Sequence, residues 1–171
     1  RRSNGSGDPL SVGSRGYYWS SSVSGSSARS LFFKSSDAYI LNSNRAWGYA
    51  VRCIKDLHPL SYPVNYKPCF ENGDTTDIVD VTNPLTGETW MDRNLGASQV
   101  ADSSSDANSY GDLYQWGRFA DGHQCRGSDT TSTLSSSTTV GNNLFIVNGG
   151  DPFNWLSTPD DNLWQGVSGV N

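Results

Sequence analysis

The sequence predicts an α+β fold rich in β-structure, with short antiparallel strands, one or two short helices and long ordered loops. Three observations carry this prediction. Short apolar and aromatic runs are separated by Gly, Asn, Asp and Ser at close intervals, which is turn chemistry. Trp47, Tyr49, Val51 and Cys53 alternate with Gly48, Ala50, Arg52 and Ile54, the period of two that a strand requires. Helical spacing occurs once, through Tyr110, Leu113, Tyr114 and Gly117, and predicts a short helix over 110–120 that Gly111 and Gly117 weaken.

The elements follow in order. Residues 1–15 are polar, turn-forming and without periodicity, hence a loop. Strands are expected over 16–22, 29–34, 38–42 and 46–54, and their close spacing indicates an antiparallel meander. Residues 56–74 contain Pro59, Pro63 and Pro68, each fixing φ and removing a donor, so this stretch reads as an extended linker. The turn TNPLTG joins strands at 78–82 and 88–94 into a hairpin. Residues 102–109 are a polar loop, 128–139 a hydroxyl-rich surface loop open to O-glycosylation, and 145–147 a short strand. Residues 151–166 form an ordered loop anchored by Phe153, Trp155 and Trp164.

Composition points outside the cell and excludes several functions. Charged residues make up 17% of the chain, against roughly 25% in an ordinary soluble domain. Ser, Thr, Asn and Gly fill the gap. The net charge is −5 with no basic cluster, which argues against nucleic acid as a partner. No apolar run approaches the roughly 18 residues of a membrane span, so no membrane insertion is expected. The chain opens Arg1-Arg2 without an apolar stretch behind it, so no signal peptide of its own is expected. Six Trp and eight Tyr supply the surface for a core. Cys53, Cys69 and Cys125 match no zinc spacing. One disulfide is expected, with Cys69–Cys125 the first choice because both lie in the second half, and the spacing alone leaves the other pairings open.

Two stretches carry a family resemblance. Residues 16–55, GYYWSSSVSGSSARSLFFKSSDAYILNSNRAWGYAVRCIK, and residues 77–119, which include TGETWMDRNLG and YGDLYQWGR, resemble the Fibrobacter succinogenes major paralogous domain family. That resemblance implies a C-type lectin-like fold. It also implies an inverted order, because in the family the TGETWMDRNLG-like motif opens the domain and the GYYWSSS…VRCIK-like motif closes it. A central CPxGWRLPT-like segment, absent here, lies between them. On this basis residues 1–56 are the C-terminal half of one module, 57–76 a linker, and 77–171 the N-terminal half of the next. Cys53 would then pair with a cysteine of the missing segment.

Candidate sites are few. His58 and His123 lie in no nucleophile motif, and the cysteine pair of the similarly folded formylglycine-generating enzymes has no counterpart, so no enzyme is expected. Asp106, Asn108 and Asp112 place oxygen ligands at alternate positions like the start of a calcium loop, but Gly117 stands where the bidentate Glu belongs. The same residues suit a helix N-cap. Asp160, Asp161 and Asn162 form a second acidic cluster. The best ligand-binding face joins Tyr17, Trp19, Tyr39, Asn42, Asn44 and Trp47, rigid aromatics interleaved with adaptable amides. It resembles the variable region of diversity-generating retroelement proteins. Two functions are therefore expected to compete. One is a structural module of an extracellular fibre or repeat array, joined to copies of itself or adjacent repeats by mutual completion. The other is a cell-surface adhesin for a glycan or protein ligand.

Overall fold

The aromatic strands near the start of the chain build its largest sheet. In the computed structural model, which describes residues 1–54, 69 and 79–164, β1 (Gly16–Ser24), β2 (Ser27–Phe33) and β3 (Ala38–Asn44) form an antiparallel meander in the order β1-β2-β3. Register sorts the side chains. Tyr17 faces Phe32, which faces Tyr39, and Trp19, Ser30 and Leu41 share the next row on the same side. Tyr17, Trp19, Ala28 and Phe32 are buried on that face. Leu31, Phe33 and Ile40 are exposed on the other.

The remaining strands are two or three residues long. β4 (Gly48–Tyr49) pairs with β7 (Tyr114–Gln115), β5 (Asp80–Thr82) with β6 (Thr89–Met91), and β8 (Thr130–Thr131), in parallel, with β9 (Phe145–Ile146). The β5–β6 hairpin closes through Asn83 N–H to Glu88 O, with Gly87 at φ +76°, the left-handed conformation its turn needs. The structure is thus β-rich with short, mainly antiparallel strands, and helix is confined among the described residues to one 3₁₀ turn, Ala107–Ser109.

Three expectations are corrected. No helix forms over 110–120: Gly111 and Gly117 take φ of +64° and +77°, which ends any helix, and Tyr114–Gln115 extends as β7 instead. The strand expected over 46–54 is regular only at Gly48–Tyr49, although isolated bridges tie Ala50 to Tyr18 and Ile54 to Trp90. Phe153 does not anchor its loop but is exposed, whereas Trp155 is buried and Trp164 packs on Trp116. The linker 57–76 lies outside the described residues except for Cys69, which is disulfide-bonded to Cys125 with Cα atoms 5.3 Å apart.

The segments assigned to different modules pack on each other in this chain. Trp116, from the second, joins Tyr17, Trp19, Phe32 and Tyr49, from the first, in one buried cluster. Trp19 Nε1 donates to Tyr114 O at 2.7 Å, and Trp116 Nε1 donates to Ser20 O at 2.9 Å. The β4–β7 pair brings the backbones together, and Gly48 permits it: a Cβ there would lie 2.9 Å from Arg2 Cβ and 3.0 Å from the Phe145 ring. Gln115, fully buried, fixes the junction. Its amide donates to Ala46 O and Ile146 O and accepts from Ile146 N and Arg118 Nη1.

Gln115→Leu would keep the volume but take this partner from Ala46 O, Ile146 O and Ile146 N, while Arg118 Nη1 keeps Leu144 O. Each orphaned group costs about 1–3 kcal/mol, so denaturant unfolding should show a loss of about 3 kcal/mol or more. A loss under about 1 kcal/mol would show that the junction does not depend on this amide.

Candidate functional site

Where the inner face of the first sheet runs out at β3, a cleft of about 350 Å³ opens. Five of the six residues expected to bind ligand line it: Tyr17, Tyr39, Asn42, Asn44 and Trp47. Its aromatic floor is continuous. Ring centroids lie 4.9 Å apart for Tyr39 and Phe32, 5.1 Å for Phe32 and Tyr17, and 5.0 Å for Tyr17 and Tyr49. Tyr49 is locked by a hydrogen bond from its hydroxyl to Ser43 Oγ, and Ser43 is bonded in turn to Ser30 Oγ. Burial pushes the Tyr49 phenol up, so it stays protonated at neutral pH. Tyr39 is 48% exposed, Asn42 exposed, and Asn44 and Trp47 half-buried.

Trp19 does not reach the cleft. It is buried behind it, stacked on Tyr49 at 4.3 Å, because its row of the sheet faces the second segment. The residues that sequence reading missed are Arg1 and Arg15, from the stretch read as a plain loop. The Arg1 guanidinium lies over the Tyr17 and Trp47 rings, at 4.9 and 4.7 Å from their centroids. Two arginines close before an aromatic strand were the available signal.

The residues considered for calcium are divided between two tasks. Asp106 caps the 3₁₀ turn: its carboxylate accepts from Asn108 N, Gln99 Nε2 and Asp102 N, and these bonds, led by that of Gln99, hold its pKa low. Asn108 and Asp112 line a second cavity of about 450 Å³, which Asp106 does not line. Among the described residues no three His, Cys, Asp or Glu side chains converge on a metal position. In the second acidic cluster, Asp161 is engaged by buried Arg45 at 2.6 Å.

Asp112 and His123 are buried titratable groups with opposite consequences. Burial pushes the Asp112 carboxyl up to about 7, against the opposing charge of Arg126. Burial pushes His123 down to about 4, against its bond to Asp121. Gln115 N–H donates to His123 Nε2, so the proton sits on Nδ1 and is donated to Asp121 Oδ1. This histidine is a neutral core group. His58 lies outside the described residues. Cys53 is a free, half-buried thiol, pushed up by burial and therefore poorly nucleophilic.

Two predictions follow from these charges. Asp112, with its folded pKa raised, withdraws stability as pH climbs from about 4 to about 7. His123, with its folded pKa depressed, withdraws stability as pH falls from about 6.5 towards about 4. The two slopes oppose each other in the wild type. Asp112→Asn should therefore unmask a fall in stability on acidification, read from unfolding midpoints between about pH 4.5 and 7.5. An unchanged profile would show that Asp112 is not the buried acid. Secondly, Asp106→Ala should cost about 1 kcal/mol equally in excess calcium and in chelator. A calcium-dependent difference in melting temperature that this substitution abolishes would restore Asp106 as a ligand.

No known protein family, curated protein or solved structure matches this chain, and the chemistry of the cleft therefore carries the functional reading.

Proposed function

We propose that this chain is a non-catalytic recognition module of the C-type lectin-like type, at work outside the cell or on its surface, taking a glycan or protein ligand in the aromatic cleft. The observation that carries this reading is the convergence of Tyr17, Tyr39, Asn42, Asn44 and Trp47 on one cavity with a hydrogen-bonded floor. Such a surface is already ordered before the ligand arrives, so little entropy is lost on binding. The described lining holds no His, Cys, Asp or Glu, the groups that most often move protons or attack substrate. The Cys69–Cys125 disulfide suits an oxidising compartment.

A second reading, the structural module of a fibre or repeat array, draws support from a different feature. Among the described residues β3 ends its sheet, with a seven-residue edge beside exposed Tyr39 and Ile40. Such an edge can pair with a strand of another copy. Mutual completion of half-modules is less favoured, since the two segments here complete each other.

Glycan and protein arrays probed with the folded chain test the first reading. Trp47→Ala and Asn42→Ala should each weaken the ligand found by at least about tenfold, or about 1.4 kcal/mol. Asn42 is exposed, so Asn42→Ala should leave the melting temperature in place. Binding unaffected by either change would move the site elsewhere. Sedimentation into long polymers that Ile40→Lys dissolves would favour the fibre.

A further inference from the structure

Resting on the reading of the cleft as a ligand site, we propose that its ligand is an acidic saccharide, a sugar ring bearing a carboxylate. The charge of the lining points that way. Arg1 and Arg15 both contribute to the cleft, and no carboxylate does among the described lining residues. This is a cationic spot in a chain of net charge −5. Low-dielectric aromatic walls strengthen the field of such a spot at the ligand.

The state of Arg1 sharpens the argument. Its guanidinium is held over Tyr17 and Trp47, which fixes its plane. Its Nε–H is buried and has no hydrogen-bond acceptor. Buried donors are almost always satisfied, and one that is not calls for an explanation. The buried arginines show the contrast: Arg45 and Arg118 each donate to several carbonyls and to an aspartate. A carboxylate arriving in the cleft would pair with the Arg1 guanidinium by charge-assisted bonds, the pairing for which a planar guanidinium is suited.

The rest of the cleft favours a sugar over a peptide as the carrier of that carboxylate. Its volume, about 350 Å³, sits at the small end of ligand sites. The exposed Tyr39 ring offers a face for the C–H side of a pyranose. The β3 edge offers backbone donors and acceptors for its hydroxyls.

The test is an array of glycans rich in sugar acids beside neutral ones, followed by calorimetry with the best acidic oligosaccharide and its methyl ester. The acid should bind. Its methyl ester should bind at least about tenfold more weakly, and raising the salt should weaken the acid but not the ester. Arg1→Gln and Arg15→Gln should each reproduce the effect of esterification, and if one fails to fold, the other and the ester comparison in the wild type still decide. An ester or neutral sugar bound as tightly as the acid would overturn this inference while leaving the recognition module intact. Binding to glutamate-rich peptides and to no saccharide would overturn the sugar. A folded protein that binds neither would overturn the cleft reading itself.

Discussion

The structure depends on satisfying loop backbone with buried side chains, because regular ladders are too short to do it. Among the described residues, no strand outside the first sheet exceeds three residues, so most carbonyls there lack a ladder partner. Unpaired, each would destabilise the fold by about 1–3 kcal/mol. Gln115 and three buried arginines take up this role. Arg118 gathers Leu144 O and Asn142 O, Arg45 gathers Gly25 O, Ser27 O and Asp160 O, and Arg2 gathers Gly7 O and Cys125 O. Each guanidinium also lies near an aromatic ring: Arg45 over Trp116, Arg118 over Trp155 and Arg2 over Phe145. A guanidinium suits this work because it has five fixed donors and is more weakly hydrated than an ammonium.

That arrangement couples the two segments and, through them, the cleft. The indole N–H of Trp19 is satisfied by Tyr114 O and that of Trp116 by Ser20 O, so neither indole can be buried with its N–H satisfied unless the other segment is in place. Tyr49 sits at the crossing. It is part of β4, pairs with Tyr114, stacks on Trp19 and forms part of the cleft lining. The aromatic floor of the cleft is therefore a by-product of the junction. Damage at Gln115 or Gly48 should be felt in the cleft although neither residue lines it.

Much of the first sheet was legible in the sequence, because period-two patterns and turn residues are local. The β5–β6 hairpin was legible for the same reason, in TNPLTG. What escaped was non-local. Helical spacing at 110–120 was overridden by two glycines and by a partner strand sixty-five residues away, which turned Tyr114 and Gln115 into β7. The cleft residues were legible as types, aromatics and amides crowded on a meander. Register decided which of them served: the row that holds Trp19 faces the second segment, and Trp19 became core. The buried arginines left little signal, since most of their partners are carbonyls that any residue carries.

The exposed rows of the first sheet bear on how copies of this chain could pack together. Leu31 and Ile40 are neighbours in register, Phe33 lies beside them against Tyr18, and all three are exposed. Burying one such side chain is worth about 2 kcal/mol, so this face has reason to be covered in any larger assembly. The cleft lies at the β3 edge, lined by residues of the opposite, inner row. A module packed through its outer face would thus keep Arg1, Tyr39 and Trp47 open to solvent. Pairing along the β3 edge would instead close the cleft. Assembly through the face is compatible with recognition, and assembly through the edge competes with it.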